Sequence, residues 1–156
     1  MESVNWAWGL SLIALTIAIH VMGVVMMAIA GLAIRVRLET RNLGFWHVIL
    51  IAASGIGVAG LLLAVLHGIE AAIWAAAYVW LGALDLPKDA VLYSLDSLTT
   101  RGASGLTLEP HWQLMGALEA ANGMLLFGIS TAFIFAEMQG YWSMLSDLLM
   151  TRRHPR

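Results

Sequence analysis

The chain has 156 residues, of which 60% are apolar and only 12% charged, and its mean hydropathy is +0.82. A soluble domain carries about 45–50% apolar and about 25% charged residues, so these proportions exclude an ordinary water-soluble fold and point to lipid as the solvent. A net charge of -2 with so few cations leaves no basic face for a nucleic-acid backbone. The lack of cysteine excludes disulfides, thiolate metal sites and cysteine nucleophiles.

A helix that crosses about 30 Å of hydrocarbon needs roughly 20 apolar residues. The first candidate runs from Trp6 to about Ile34, with Trp6 and Trp8 placed as interfacial anchors. It has no basic leader and is too long for the apolar core of a signal peptide, so a span is expected rather than a cleaved segment. The link Arg35-Val-Arg-Leu-Glu-Thr-Arg-Asn42 follows, closing an N-terminal part over 1–42. The second apolar run, Phe45 to Leu84, is long for one span, and Gly55, Gly57 and Gly60 are its only soft point. We read it as an interfacial or tilted helix up to about Gly57, then a span from Val58 to about Leu84. The same glycines spell GxGxxG, but with no preceding strand and no suitably placed acidic residue they are a packing or kink feature, not a dinucleotide site.

Asp85-Leu-Pro-Lys-Asp89 is a polar turn. After it, residues 90–100 form a helix about half the length needed to cross. A Gly- and Thr-rich loop follows from Arg101 to Pro110, then a third apolar span over 112–142 and a basic tail ending Arg152, Arg153 and Arg156. Basic residues gather in the first link and the tail, so the positive-inside rule places both in the cytoplasm and the N-terminus outside. A bacterial inner membrane is the expected location.

The segment Tyr93-Ser-Leu-Asp-Ser-Leu-Thr-Thr-Arg-Gly-Ala-Ser-Gly105 is unusual for lipid. Irregular backbone at membrane depth survives only inside protein or along a watery cavity. Thr99, Thr100 and Gly102 resemble the Thr-Thr-X-Gly-Tyr-Gly-Asp filter of the potassium-channel (pore-loop cation channel) superfamily. Leu118-Glu-Ala-Ala-Asn-Gly-Met-Leu-Leu-Phe-Gly128 and Ser130-Thr-Ala-Phe133 resemble the inner helix of its small bacterial members, and His67-Gly-Ile-Glu-Ala-Ala-Ile-Trp74 resembles their outer helix. The likeness covers about Gly60 to Trp142 and leaves the first span outside it.

That resemblance implies an all-α integral membrane protein with three transmembrane helices, a re-entrant pore helix and a filter-like loop between the last two. It implies a pore domain over 43–156, a homotetramer among membrane lipids, and passive ion conduction without catalysis. Ions, K+ among the candidates, would be permeants, and no cofactor or resident metal is implied. The filter-like loop comprises Thr99, Thr100, Arg101, Gly102, Ala103, Ser104 and Gly105. Arg101, Ala103, Ser104 and Gly105 depart from the family pattern, so the permeant ion stays open, as does a non-conducting structural subunit. Asp96 and Glu119 fall where the family places support behind the filter. Arg101 either pairs in that dry place with Asp96, with Glu119 as a further partner, or forms a ring facing the axis that favours anions. Nothing resembles a voltage sensor in the first span.

His20 lies mid-span, while His67 and Glu70, three residues apart, share one face of the second span. Similar depth allows the three to meet. They would serve as an interhelical hydrogen bond, a proton-sensing or transport cluster, or a metal site for a membrane enzyme or metal transporter. Glu119 and Asn122 lie one turn apart, facing the pore helix or a neighbouring subunit. Gly123 and Gly128 serve as inner-helix bends or as close-packing points.

Overall fold

The computed structural model of the chain describes residues 2–39, 44–102 and 105–153. These residues form four α-helices and no strand: α1 Glu2–Glu39, α2 Phe45–Trp80, α3 Pro87–Leu98 and α4 Gln113–Arg153, with a short 3-10 turn Pro110–Trp112 before α4. Three helical stretches are long and apolar enough to cross a membrane: Val4–Leu38 in α1, Phe45–Trp80 in α2, and Pro110–Ser146, which runs from the 3-10 turn into α4. At 1.5 Å per residue α2 is about 54 Å long, longer than the hydrocarbon it would cross. Exposed Leu61, Met22, Met124 and Leu125 leave apolar surface on all three, as a lipid-facing surface requires. These features support an integral membrane protein.

The second apolar run differs from expectation. It is one uninterrupted helix to Trp80, with no break at Gly55, Gly57 or Gly60. Glycine costs a helix about 1 kcal/mol against alanine. A broken helix in lipid leaves backbone groups without partners at several kcal/mol each, so continuity wins. The boundaries of α3 also shift, from 90–100 to Pro87–Leu98. Pro87 opens the helix because its missing N–H falls where a helix has no internal partner anyway. The last helix extends beyond 112–142 at its C-terminal end, to Arg153.

The described residues form two compact units. One comprises residues up to Met22 together with Ala64–Ile129. Its core joins Leu12 of α1, Trp74, Ala75 and Tyr78 of α2, Ala90 of α3, and Met115 of α4. A second cluster, Ala71, Leu98 and Leu126, holds the other end of α3. Hydroxyls along α1 are satisfied within the helix: Thr16 Oγ1 donates to the Leu12 carbonyl at 2.8 Å and Ser11 Oγ to Ala7 at 2.7 Å. Between elements, Asn122 Nδ2 donates to Thr16 Oγ1 at 2.8 Å, buried.

The other unit comprises Gly23–Leu63 and the described residues from Ser130. Ala59, Leu63 and Phe133 form its core. Arg35 Nη1 donates to Glu137 Oε2 at 2.5 Å, and the same guanidinium lies 5.5 Å from the centre of the Tyr141 ring. Gly55 packs at the Tyr141 hydroxyl, where a Cβ would come within 2.8 Å.

Candidate functional site

With 12 residues, α3 is too short to span a bilayer and carries a buried polar face: Ser94, Asp96 and Ser97 are all buried. Each has somewhere to go. Ser94 Oγ donates to Glu119 Oε1 on α4, and Ser97 Oγ donates to the Gly116 carbonyl at 3.0 Å. The other carboxylate oxygen of Glu119 accepts from Tyr78 Oη of α2 at 2.7 Å. Glu119 is fully buried, so these hydroxyl donors are what offset its removal from water. One carboxylate thereby ties α2, α3 and α4 together.

Aromatic packing reinforces the node. The Tyr78 and Tyr93 rings meet edge to face, 5.4 Å apart at 88°. A side chain at Gly116 would run into the Tyr93 hydroxyl, and one at Gly123 into the backbone of Leu98. Of the two readings of Gly123, the structure gives close packing; at Gly128 a Cβ meets nothing within 4 Å.

The C-terminus of α3 closes on itself. Thr100 N–H donates to Ser97 O at 2.9 Å and Arg101 N–H to Asp96 O at 3.0 Å. These paired bonds are the Schellman pattern, which puts the intervening residue in the left-handed region. That residue is Thr100, at φ 56°. A β-branched side chain is an outlier there; glycine is the usual occupant. Gly102 and Gly105 follow at φ 83° and 84°, values glycine adopts at little cost. Ala103 and Ser104, two of the filter-like residues, lie outside the described residues.

The same closure brings Arg101 back over its own helix. Its Nη1 lies 3.1 Å from Asp96 Oδ1, so of the partners open to it in the sequence it takes Asp96, while Glu119 is held by Tyr78 and Ser94. The environment differs from the dry pair expected. The Asp96 side chain is 4% exposed but that of Arg101 is 68% exposed. A long side chain leaving a helix end can keep its head in water while reaching back to a buried carboxylate.

Away from α3, the structure brings His20, His67 and Glu70 together. His20 Nδ1 lies 2.8 Å from Glu70 Oε1, and His67 Nδ1 lies 3.0 Å from Glu70 Oε2. His20 and Glu70 are fully buried. The two imidazole rings are 5.1 Å apart, and His67 stacks on Phe127 at 4.3 Å.

Tyr78 and Ser94 were not foreseen as partners of Glu119. The available signal was that an acidic residue within an apolar span demands donors, and these are hydroxyls of the two preceding elements. No family model, no curated protein and no solved structure matches the chain.

Proposed function

We propose that the chain is a pore-loop subunit of the potassium-channel type. In this reading α3 is a re-entrant pore helix, the loop from Thr99 to Gly105 borders an ion path shared by four copies, and ions pass down their gradients. The observation that carries it is the anchoring of α3. A half-length helix between two membrane-length helices has its polar face fixed through Ser94, Ser97, Glu119 and Tyr78, and then releases a glycine-bearing loop with left-handed turns. Non-helical backbone of this kind needs protein or a watery cavity around it at membrane depth. Four-fold assembly supplies both.

The test is reconstitution into planar bilayers with ion-substitution electrophysiology, alongside projection images of the purified oligomer. Single-channel currents from a four-fold particle are expected. A flat record, or any other symmetry, overturns the proposal.

A non-conducting structural subunit is the second reading, and Arg101 is the observation that favours it. The carbonyl end of a helix attracts cations, and the Asp96 carboxylate adds to that attraction. Here a tethered guanidinium already occupies the place. Restoration of cation current by Arg101→Leu in an otherwise silent protein would establish this second reading.

A further inference from the structure

The geometry points to a divalent transition-metal site formed by His20, His67 and Glu70, of the class that takes Zn2+. The proposal is independent of the pore-loop reading.

The donor set comes first. Two imidazoles and one carboxylate, contributed by α1 and by two positions three apart on α2, reproduce the two-nitrogen, one-oxygen set that holds Zn2+ with a fourth position left for water. Imidazole nitrogen selects this class of ion over Mg2+ and Ca2+, which prefer oxygen alone.

Geometry comes second. One ligand atom from each residue lies within 4.8 Å of the others. Four-coordinate Zn2+ with bonds near 2.1 Å needs its ligand atoms about 3.4 Å apart, within reach of small side-chain rotations. Both Nδ1 atoms already converge on the two oxygens of Glu70, at 2.8 and 3.0 Å. An ion inserted there would replace those hydrogen bonds, and the two neutral imidazoles would carry their protons on Nε2 while ligating through Nδ1.

The third argument concerns what a purely structural contact requires. A hydrogen bond joining α1 to α2 is complete with His20 and Glu70. His67 adds a second imidazole to the same carboxylate from the same helix face, while its ring stacks on Phe127 of α4. Its side chain is 16% exposed whereas His20 and Glu70 are at 0%, so the cluster is largely enclosed. Enclosure suits a tightly held ion. A bound divalent ion would clamp α1, the helix outside the pore-loop resemblance, onto α2.

The test uses the full-length protein in detergent, stripped with chelator and then equilibrated with Zn2+ alone or Co2+ alone. One equivalent of Zn2+ per chain is expected by elemental analysis, and Co2+ should give the intense ligand-field absorption of four-coordinate nitrogen and oxygen ligation. His67→Ala and Glu70→Gln should each weaken Zn2+ binding by more than about 100-fold, beyond what loss of an outer hydrogen-bond partner costs. His111→Ala, which alters the Glu109–His111 pair elsewhere in the chain, should leave binding unchanged. Zn2+ should also raise the melting temperature of the unsubstituted protein, a readout that does not depend on whether any variant folds. The proposal fails if the unsubstituted protein retains no Zn2+ and gains no stability from it. It also fails if binding survives both His67→Ala and Glu70→Gln, or is lost in His111→Ala.

Discussion

The backbone of α4 at Gly123 lies directly against the end of α3 at Leu98: a Cβ at 123 would stand 2.8 Å from both the Cα and the carbonyl carbon of Leu98, and closer still to its carbonyl oxygen. The obstacle is backbone, which cannot swing aside as a side-chain tip can. One methyl group at 123 must therefore move α3 or α4.

Gly123→Ala should accordingly destabilise the protein by about 1–3 kcal/mol, the usual cost of overpacking. Gly128→Ala should be neutral or slightly stabilising, because a Cβ there meets nothing within 4 Å and alanine is the better helix former. Thermal unfolding in detergent, followed by tryptophan fluorescence, separates the two. Equal stability of the variants would refute the close approach.

Glu119 offers a second comparison. Glu119→Ala strands the hydroxyls of Tyr78 and Ser94, both fully buried. Each buried polar group left without its partner costs about 1–3 kcal/mol. Glu119→Gln keeps the volume and one carbonyl acceptor, and should lose less than half as much. Chemical unfolding in mixed micelles measures both variants, and a triple replacement that also carries Tyr78→Phe and Ser94→Ala should recover part of the loss in Glu119→Ala.

Arg101 is a fixed cation at the carbonyl end of α3, 3.1 Å from Asp96. On the pore-loop reading, Arg101→Leu should shift reversal potentials toward the cation equilibrium potential, since a positive ring at a pore repels cations. Asp96→Asn, which leaves the guanidinium without its carboxylate, should shift them the opposite way. Unchanged selectivity in Arg101→Leu would place the guanidinium away from the ion path.

A fourth expectation concerns Arg35. Arg35→Ala removes the partner 2.5 Å from Glu137 and the cation above Tyr141, leaving a carboxylate that is only 10% exposed. A loss of about 1–3 kcal/mol is expected from uncovering one member of a mostly buried pair. Arg35→Lys should recover only part of it, because an ammonium lacks the planar stacking of a guanidinium. Hydrogen exchange around Tyr141 reports the effect locally.

The elements of this protein were legible in its sequence to the extent that length and punctuation define them. Three membrane-length apolar segments and the Asp85-Leu-Pro-Lys-Asp89 turn follow from composition alone, as does a short helix beyond that turn. The length of the second segment suggested a break at its glycines, but in lipid the cost of unpaired backbone exceeds that of glycine in a helix. Depth and spacing sufficed to suggest that His20, His67 and Glu70 could meet. They did not reveal Tyr78 and Ser94 as the partners of Glu119. A helix that is apolar on all sides has no stripe to set its rotation, so the sequence does not say which polar residues of neighbouring elements face each other.

The closure of α3 also sets the arithmetic of dehydration. The carbonyls of Leu95, Asp96 and Ser97 are spent on the N–H groups of Thr99, Arg101 and Thr100, and that of Leu98 lies against Gly123. None of them is available to an ion. A filter that strips water from K+ needs successive carbonyl rings to stand in for the hydration shell, and here such rings could begin no earlier than Thr99. On the pore-loop reading, any such ring would be drawn wholly from the loop that follows α3, beside the Arg101 guanidinium.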